Sequence, residues 1–238
     1  MHVTDRRQML SLTVGLGAAA SAGLLLAGCG KDEDEGGEEV TANEDLMREH
    51  GVLRRILVLY REIAPRIAAD PAHVDAAALG RAAALFRRFG EHYHEQLLEE
   101  QHIFPRVRTA GADQAHLVDT LSAQHVRGRQ ITDYITDRTR AGAIGSGNGA
   151  ALSGALLAFA RMYEAHAARE DTIIFPAFKA ALGAHAYDEI GDQFEEIERR
   201  EFGGDGFDMA LGEVTRIEAA LGLPDLAAFT APAPPGGA

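Results

Sequence analysis

Four long segments of this chain keep the rhythm of an amphipathic helix, and each carries a histidine at or near a core-facing phase. In "LMREHGVLRRILVLYREIAPRI" the residues Leu46, His50, Leu53, Leu57 and Tyr60 form one stripe at spacings of three and four. Asn43 is the expected N-cap of this helix, with Glu44 and Asp45 at its positive end. A second helix is expected after Asp70-Pro71, through "AAALGRAAALFRRFGEHYHEQLLEEQHIF", with His94 or His92 turned inward. The third, "HLVDTLSAQHVRGRQITDYITDRTR", keeps Leu117, Leu121, His125 and Ile131 near one face. After the loop "GAIGSGNG" the fourth, "ALSGALLAFARMYEAHAAREDTIIFPAFKAAL", supplies His166. A buried imidazole is costly unless paired or coordinated, so the chain needs a fold that brings the four together. Four long helices with short connections predict an all-α protein. Its expected architecture is an antiparallel up-down four-helix bundle over residues 43–182, with a short helical extension over 183–223. No stretch shows the alternation of a strand.

The first forty residues carry a different message. Arg6 and Arg7 precede the apolar run "SLTVGLGAAASAGLLLAG", and "LLAGC" ends it at Cys29, so residues 1–28 read as a secretory signal. The paired arginines resemble a twin-arginine export signal and "LLAGC" resembles a lipoprotein lipobox. A plain transmembrane anchor is the alternative. On the lipobox reading Cys29, the only cysteine in 238 residues, would carry lipid, and one cysteine excludes a disulfide framework or a thiolate metal site. Residues 29–42 read as an acidic solvated tether and 224–238 as a disordered Pro/Gly/Ala tail. The expected location is the exported face of a bacterial cell envelope, with membrane attachment through lipid on Cys29. A net charge of −13 leaves no basic stripe for nucleic acid.

Two stretches resemble each other: "HYHEQLLEEQHIFP" at 92–105 and "HAAREDTIIFP" at 166–176. His166 and Glu170 are four apart, a rotation of about 400°, and so point the same way. His94 and Glu99 are five apart, which leaves the carboxylate roughly 140° off on a regular helix. A π-type widening would realign them. The alternative is a regular helix with His92, Glu95 and Glu99 on one face; both versions keep Glu99. Histidines from four helices, joined by Glu99 and Glu170, are the pattern of a metal site inside a bundle. Imidazole with carboxylate suits iron, manganese or zinc. Glu95, His92 and Tyr93 lie within about a turn and are candidates to steer protons or tune the ligands. Glu91, Glu100 and Asp171 read as solvated residues, His73, His116 and His185 as surface residues, and His102 as solvent-facing or flanking the site. No nucleophile–base pair of a hydrolase appears.

Taken in order, "LMREHGVLRRIL", "YHEQLLEEQHIFP", "LSAQHVRGR" and "HAAREDTIIFPAF" resemble the four helices of the hemerythrin-like (HHE cation-binding) domains, over roughly residues 43–182. The resemblance implies two non-haem iron ions, with His50, His94, His125 and His166 as imidazole ligands and Glu99 and Glu170 as bridging carboxylates. It implies a small diatomic or peroxide ligand: binding of oxygen, nitric oxide or peroxide, or sensing or storage of iron. A redox enzyme of oxidative or nitrosative detoxification is the rival expectation, and a zinc-stabilised or metal-free bundle a third. One departure stands out. Oxygen-carrying hemerythrins place two histidines four residues apart on the third helix, whereas Leu121 and Arg129 flank His125 here. Fewer protein ligands leave more positions open to water or a small molecule.

Overall fold

The computed structural model describes residues 40–223 and 228–234. The expected export segment, Cys29, nearly all of the expected tether and part of the expected tail lie outside them. Among the described residues the chain is helical throughout, with no strand. No helix among them is long and apolar enough to cross a membrane. Residues 229–234, within the expected tail, are irregular and exposed.

Helix α1 (Ala42–Ala69) buries Leu46, His50, Leu53, Leu57 and Tyr60 on its inner face. It starts one residue before Asn43, so Asn43 is not its cap. Instead the Asn43 side chain donates to the Phe175 carbonyl at 2.9 Å, tying the start of α1 to a residue 132 positions further along the chain. Asp75 caps α2 (Ala76–Leu85) by accepting from the Ala78 N–H. α2 then passes without a break into a long π segment (Phe86–Ile103) and a closing turn, α3 (Phe104–Val107). α4 (Ala112–Thr139) and α5 (Gly149–Arg169) follow; α5 continues as a short π segment (Glu170–Ile174) and α6 (Phe175–Leu182). α7 (Ala184–Phe202) and α8 (Gly206–Ala220) complete the described helices. α8 packs against α1 and α2, where Arg55 meets Glu218. α7 brings Phe202 onto Tyr93 and Phe89 of the long π segment.

Side-chain pairs show how the central helices run. Arg54 and Arg61 of α1 meet Asp171 and Glu164, so a step of seven up one helix is a step of seven down the other. α1 and α5 are therefore antiparallel. Thr132, Arg129 and His125 of α4 meet Glu91, Glu95 and Glu100 in turn, so α4 runs antiparallel to the long π segment.

Both π segments end the same way. The Phe104 N–H donates to the Glu99 carbonyl and the Phe175 N–H to the Glu170 carbonyl, each five residues back. Pro105 and Pro176 follow directly. A proline ring inside a helix collides with the carbonyl four residues earlier, and a widened turn just ahead of it moves that carbonyl aside.

Candidate metal centre

Each of α1, the long π segment, α4 and α5 turns one imidazole into the core. His50, His94, His125 and His166 are at most 3% exposed, and Glu99 and Glu170 are fully buried. The π winding decides which residue of the second helix takes part. With hydrogen bonds running five residues back, His94 and Glu99 fall on one face. The regular-helix alternative is thereby corrected: His92 lies outward with its side chain 44% exposed, bonded to Gln96 and 3.4 Å from Glu201.

The imidazoles form two pairs. Nε2 of His50 and Nε2 of His94 are 3.0 Å apart, and those of His125 and His166 are 3.1 Å apart. Two carboxylates span the pairs. Glu99 places one oxygen 3.5 Å from His94 Nε2 and the other 3.3 Å from His125 Nε2. Glu170 places one 2.9 Å from His166 Nε2 and the other 3.5 Å from His50 Nε2.

Every outer nitrogen is committed. Nδ1 of His50 donates to Asp171 at 2.7 Å, that of His94 to Glu49 at 2.6 Å, that of His125 to Glu100 at 2.9 Å, and that of His166 to the Gln124 side-chain oxygen at 2.8 Å. With a proton on each Nδ1, the neutral rings aim Nε2 lone pairs at one another. The four oxygens of Glu99 and Glu170 are buried and receive no hydrogen bond. Only protons or cations between these groups resolve such an arrangement. The donor set is all nitrogen and oxygen, which suits a first-row divalent metal and fits the cation the sequence implies. Glu99, His125, His166 and Glu170 present ligand atoms within 4.8 Å of one another, as do His50, His94 and Glu99.

The electrostatics agree. Burial opposes protonation of His50, His94 and His125, yet facing carboxylates outweigh it and raise all three: Asp171 and Glu170 for His50, Glu99 and Glu49 for His94, Glu95 and Glu100 for His125. Burial likewise opposes ionisation of Glu99 and Glu170, and the imidazoles hold both below the usual carboxylate range. The site is built to hold positive charge.

Several residues lie elsewhere than the sequence suggested. Asp171 and Glu100 are not merely solvated; they orient His50 and His125, and Arg129 adds a 2.8 Å bond to Glu100. Glu91 is fully buried rather than solvated, accepting from Thr132 at 2.6 Å beside Arg87. Tyr93 does not face the imidazole pairs; its hydroxyl donates to Glu49, the partner of His94, at 3.0 Å. His102 is partly exposed and packs against Phe194. Glu95 does border the site. It accepts from Tyr163 at 2.7 Å and from Arg129 at 3.3 Å, and lines a small cavity with His50, His94, Glu99, His166 and Glu170. That cavity holds about 20 Å³, room for one water-sized molecule. Glu49, Gln124 and Tyr163 carried no motif and sequence reasoning missed them; the one available signal was that each lies within three residues of an inward histidine on the same helix.

The sequence profile of the hemerythrin HHE cation-binding domain matches residues 41–178, more than half of the chain. The chain belongs to this family. Uncharacterized proteins of Mycobacterium tuberculosis (Rv1995) and Mycobacterium bovis (Mb2018) are each 39% identical over 237 aligned positions, covering 94% of this chain and 90% of the relative. At that coverage at most about 14 of the 238 residues fall outside, so the likeness extends through α7 and α8 and through most of the segment before α1. No solved structure matches the chain significantly.

Proposed function

We propose that this HHE domain binds two iron ions between its imidazole pairs and uses them to bind oxygen, nitric oxide or peroxide, or to sense or store iron. The observation that carries this reading is the bridge itself. Two buried carboxylates each face one imidazole of either pair, and none of their oxygens has a hydrogen-bond donor. His50 and His94 would serve one ion, His125 and His166 the other, and Glu99 and Glu170 both. The antiparallel runs of α1 with α5 and of the long π segment with α4 support an up-down four-helix bundle around the pair. Iron supplies, when bound, the electrons and open coordination positions that a diatomic or peroxide ligand requires.

The protein's own residues do the rest. Asp171, Glu49, Glu100 and Gln124 fix which nitrogen of each imidazole faces inward and strengthen it as a donor. Leu53, Leu57 and Phe86 exclude bulk water from the cavity, while Glu95 and Tyr163 place a hydrogen-bonding carboxyl and hydroxyl on its wall. Their presence beside the cavity favours the detoxifying enzyme as the second reading, because reduction of a peroxide needs protons at hand.

Metal analysis with an optical spectrum of the reduced protein exposed to air tests the proposal. Two irons per chain and a charge-transfer band bleached by reduction are expected; zinc, or no metal, overturns it. Turnover of peroxide or nitric oxide would favour the enzyme over the binder.

For location we propose export and lipid anchoring through Cys29 at the envelope, carried by the arginine pair and the "LLAGC" stretch. The acidic tether would be repelled by anionic lipid, so the acyl chains must supply the attachment. Cys29→Ser should release the protein into the soluble envelope fraction. Unchanged membrane association, or a mass that still includes residues 1–28, would assign the anchor to the apolar run.

A further inference from the structure

Of the twelve residues lining the cavity, eleven are buried and Arg54 is not. Its side chain is 41% in solvent, yet the residue lines the cavity beside His50, Leu53 and Leu57. The cavity therefore meets the outside at Arg54, on the seam between α1 and α5. Ala167 lines the cavity from α5 beside His166 and Tyr163. The guanidinium is held across the seam by Asp171, and about two helical turns further along Arg61 grips Glu164 in the same way. The two ion pairs bracket Ala167 along the chain, Glu164 lying before it and Asp171 after it. With the arginine side chain partly in solvent, the pair is worth on the order of 1 kcal/mol, enough to favour closure and weak enough to open.

We propose that Arg54 is a gate. Its side chain closes the mouth of the cavity, Asp171 is its latch, and opening admits small ligands such as azide, peroxide or a diatomic to the centre. Because the latch also accepts the His50 Nδ1–H, each opening leaves that carboxylate to His50 alone, so ligand access is tied to the donor strength of one imidazole. The inference rests on the small-ligand reading above only for what passes through.

Thiol accessibility in the metal-free full-length chain tests the gate. With Ala167→Cys in the wall, methyl methanethiosulfonate should modify the introduced thiol about tenfold faster once Arg54→Ala is added, equivalent to ~1.4 kcal/mol off the opening step. Peptide mass analysis separates this thiol from Cys29. Asp171→Asn, which keeps the arginine but removes the latch charge, should accelerate modification too, and Arg54→Lys should largely restore the parent rate. Equal rates with and without Arg54 would overturn the proposal. So would equal acceleration at a control thiol introduced by Ala82→Cys, fully buried on α2, because that reports general loosening. Should Ala167→Cys fail to fold, stopped-flow azide binding to metal-loaded Arg54→Ala decides: a faster rate supports the gate and an unchanged rate overturns it. The thiol assay needs no metal, so its failure strikes the gate alone, whereas a chain without iron strikes only the dinuclear reading.

Discussion

Counted back from their prolines, Glu99 and Glu170 stand at equivalent positions, six residues before Pro105 and Pro176. Their histidines do not: His166 precedes its glutamate by four residues and His94 by five. The difference is absorbed in the winding. α5 remains a regular helix through Arg169 and widens only at Glu170, so His166 and Glu170 are aligned by ordinary α geometry. The second helix widens as early as Phe86, and His94 and Glu99 are aligned by π geometry instead. The first motif is also richer in buried charge. The long π segment buries Glu91, Glu95 and Glu99, whereas the short one buries Glu170 alone. One half of the centre supplies an imidazole and a carboxylate; the other supplies the same pair and an acidic wall.

The largest effect should come from the residues the halves share in kind. Glu99→Ala and Glu170→Ala each remove a carboxylate facing both imidazole pairs, so both should release metal on dialysis. Affinity should drop by more than the 10–100-fold typical of losing an outer-sphere partner. Retention of metal by either variant, measured by elemental analysis, would break the equivalence. Metal uptake should also release protons near neutral pH, because the facing carboxylates raise His50, His94 and His125 above an ordinary imidazole. Without metal these groups contribute stability that is full below about pH 6.5, the ordinary imidazole value, and is lost as pH rises through their raised values.

Register changes come next and separate the two windings directly. Deleting Gln96 shortens the His94–Glu99 spacing to four, which a regular turn satisfies, so metal content should survive with a narrowed turn. Deleting Ala168 shortens His166–Glu170 to three, draws Asp171 out of reach of His50, and should abolish binding. Equal outcomes for the two deletions would mean that winding is not what distinguishes the motifs.

Smaller changes probe the acidic wall. Burial, only partly offset by Thr132, pushes the Glu91 carboxyl up to about 7. Such a group costs nothing below its unfolded value near 4.5, where both states are protonated, and an increasing penalty as pH rises from there through 7. Glu91→Gln should therefore gain stability relative to the parent between pH 5 and pH 8, by up to about 3 kcal/mol. Paired denaturation curves at the two pH values check the sign; a pH-independent difference would show that Glu91 is ionised throughout. Gly128 is where α4 makes room for Tyr163, since a Cβ there would sit 1.9 Å from the tyrosine oxygen. Gly128→Ala should cost about 1–3 kcal/mol by forcing Tyr163 off Glu95. Adding Tyr163→Phe should recover part of that loss in urea unfolding, because the colliding oxygen is gone.

Helix identity was legible in the chain because it rests on local periodicity and on breakers such as "GAIGSGNG" and Gly183. The inward phase of His50, His125 and His166 followed from the same rhythm. The five-residue spacing of His94 and Glu99 was legible only as a fork, regular helix or widened turn. Local sequence does not choose between these windings, because the choice depends on what each face then meets. Packing resolved it: the widened turn buries His94 against His50 and leaves His92 beside Glu201 of α7.

The pattern of residue types along the chain determined that four helices would each carry an imidazole and that two would add a carboxylate. These are properties of phase within a helix, and phase is local. What holds those imidazoles was decided only in three dimensions. Asp171 and Glu100 sit next to Glu170 and Glu99 in sequence and look like solvated neighbours, yet each lies across a helix interface from the histidine it serves. Glu49 and Gln124 reach His94 and His166 from other helices, over sequence separations of 45 and 42 residues. Glu91 and Tyr163 became buried polar groups because α4 closes over them at Thr132 and Gly128. A carboxylate exposed on its own helix and a carboxylate buried by a neighbouring one are the same letter in the sequence. Their difference is desolvation and pairing, and both belong to the assembled core.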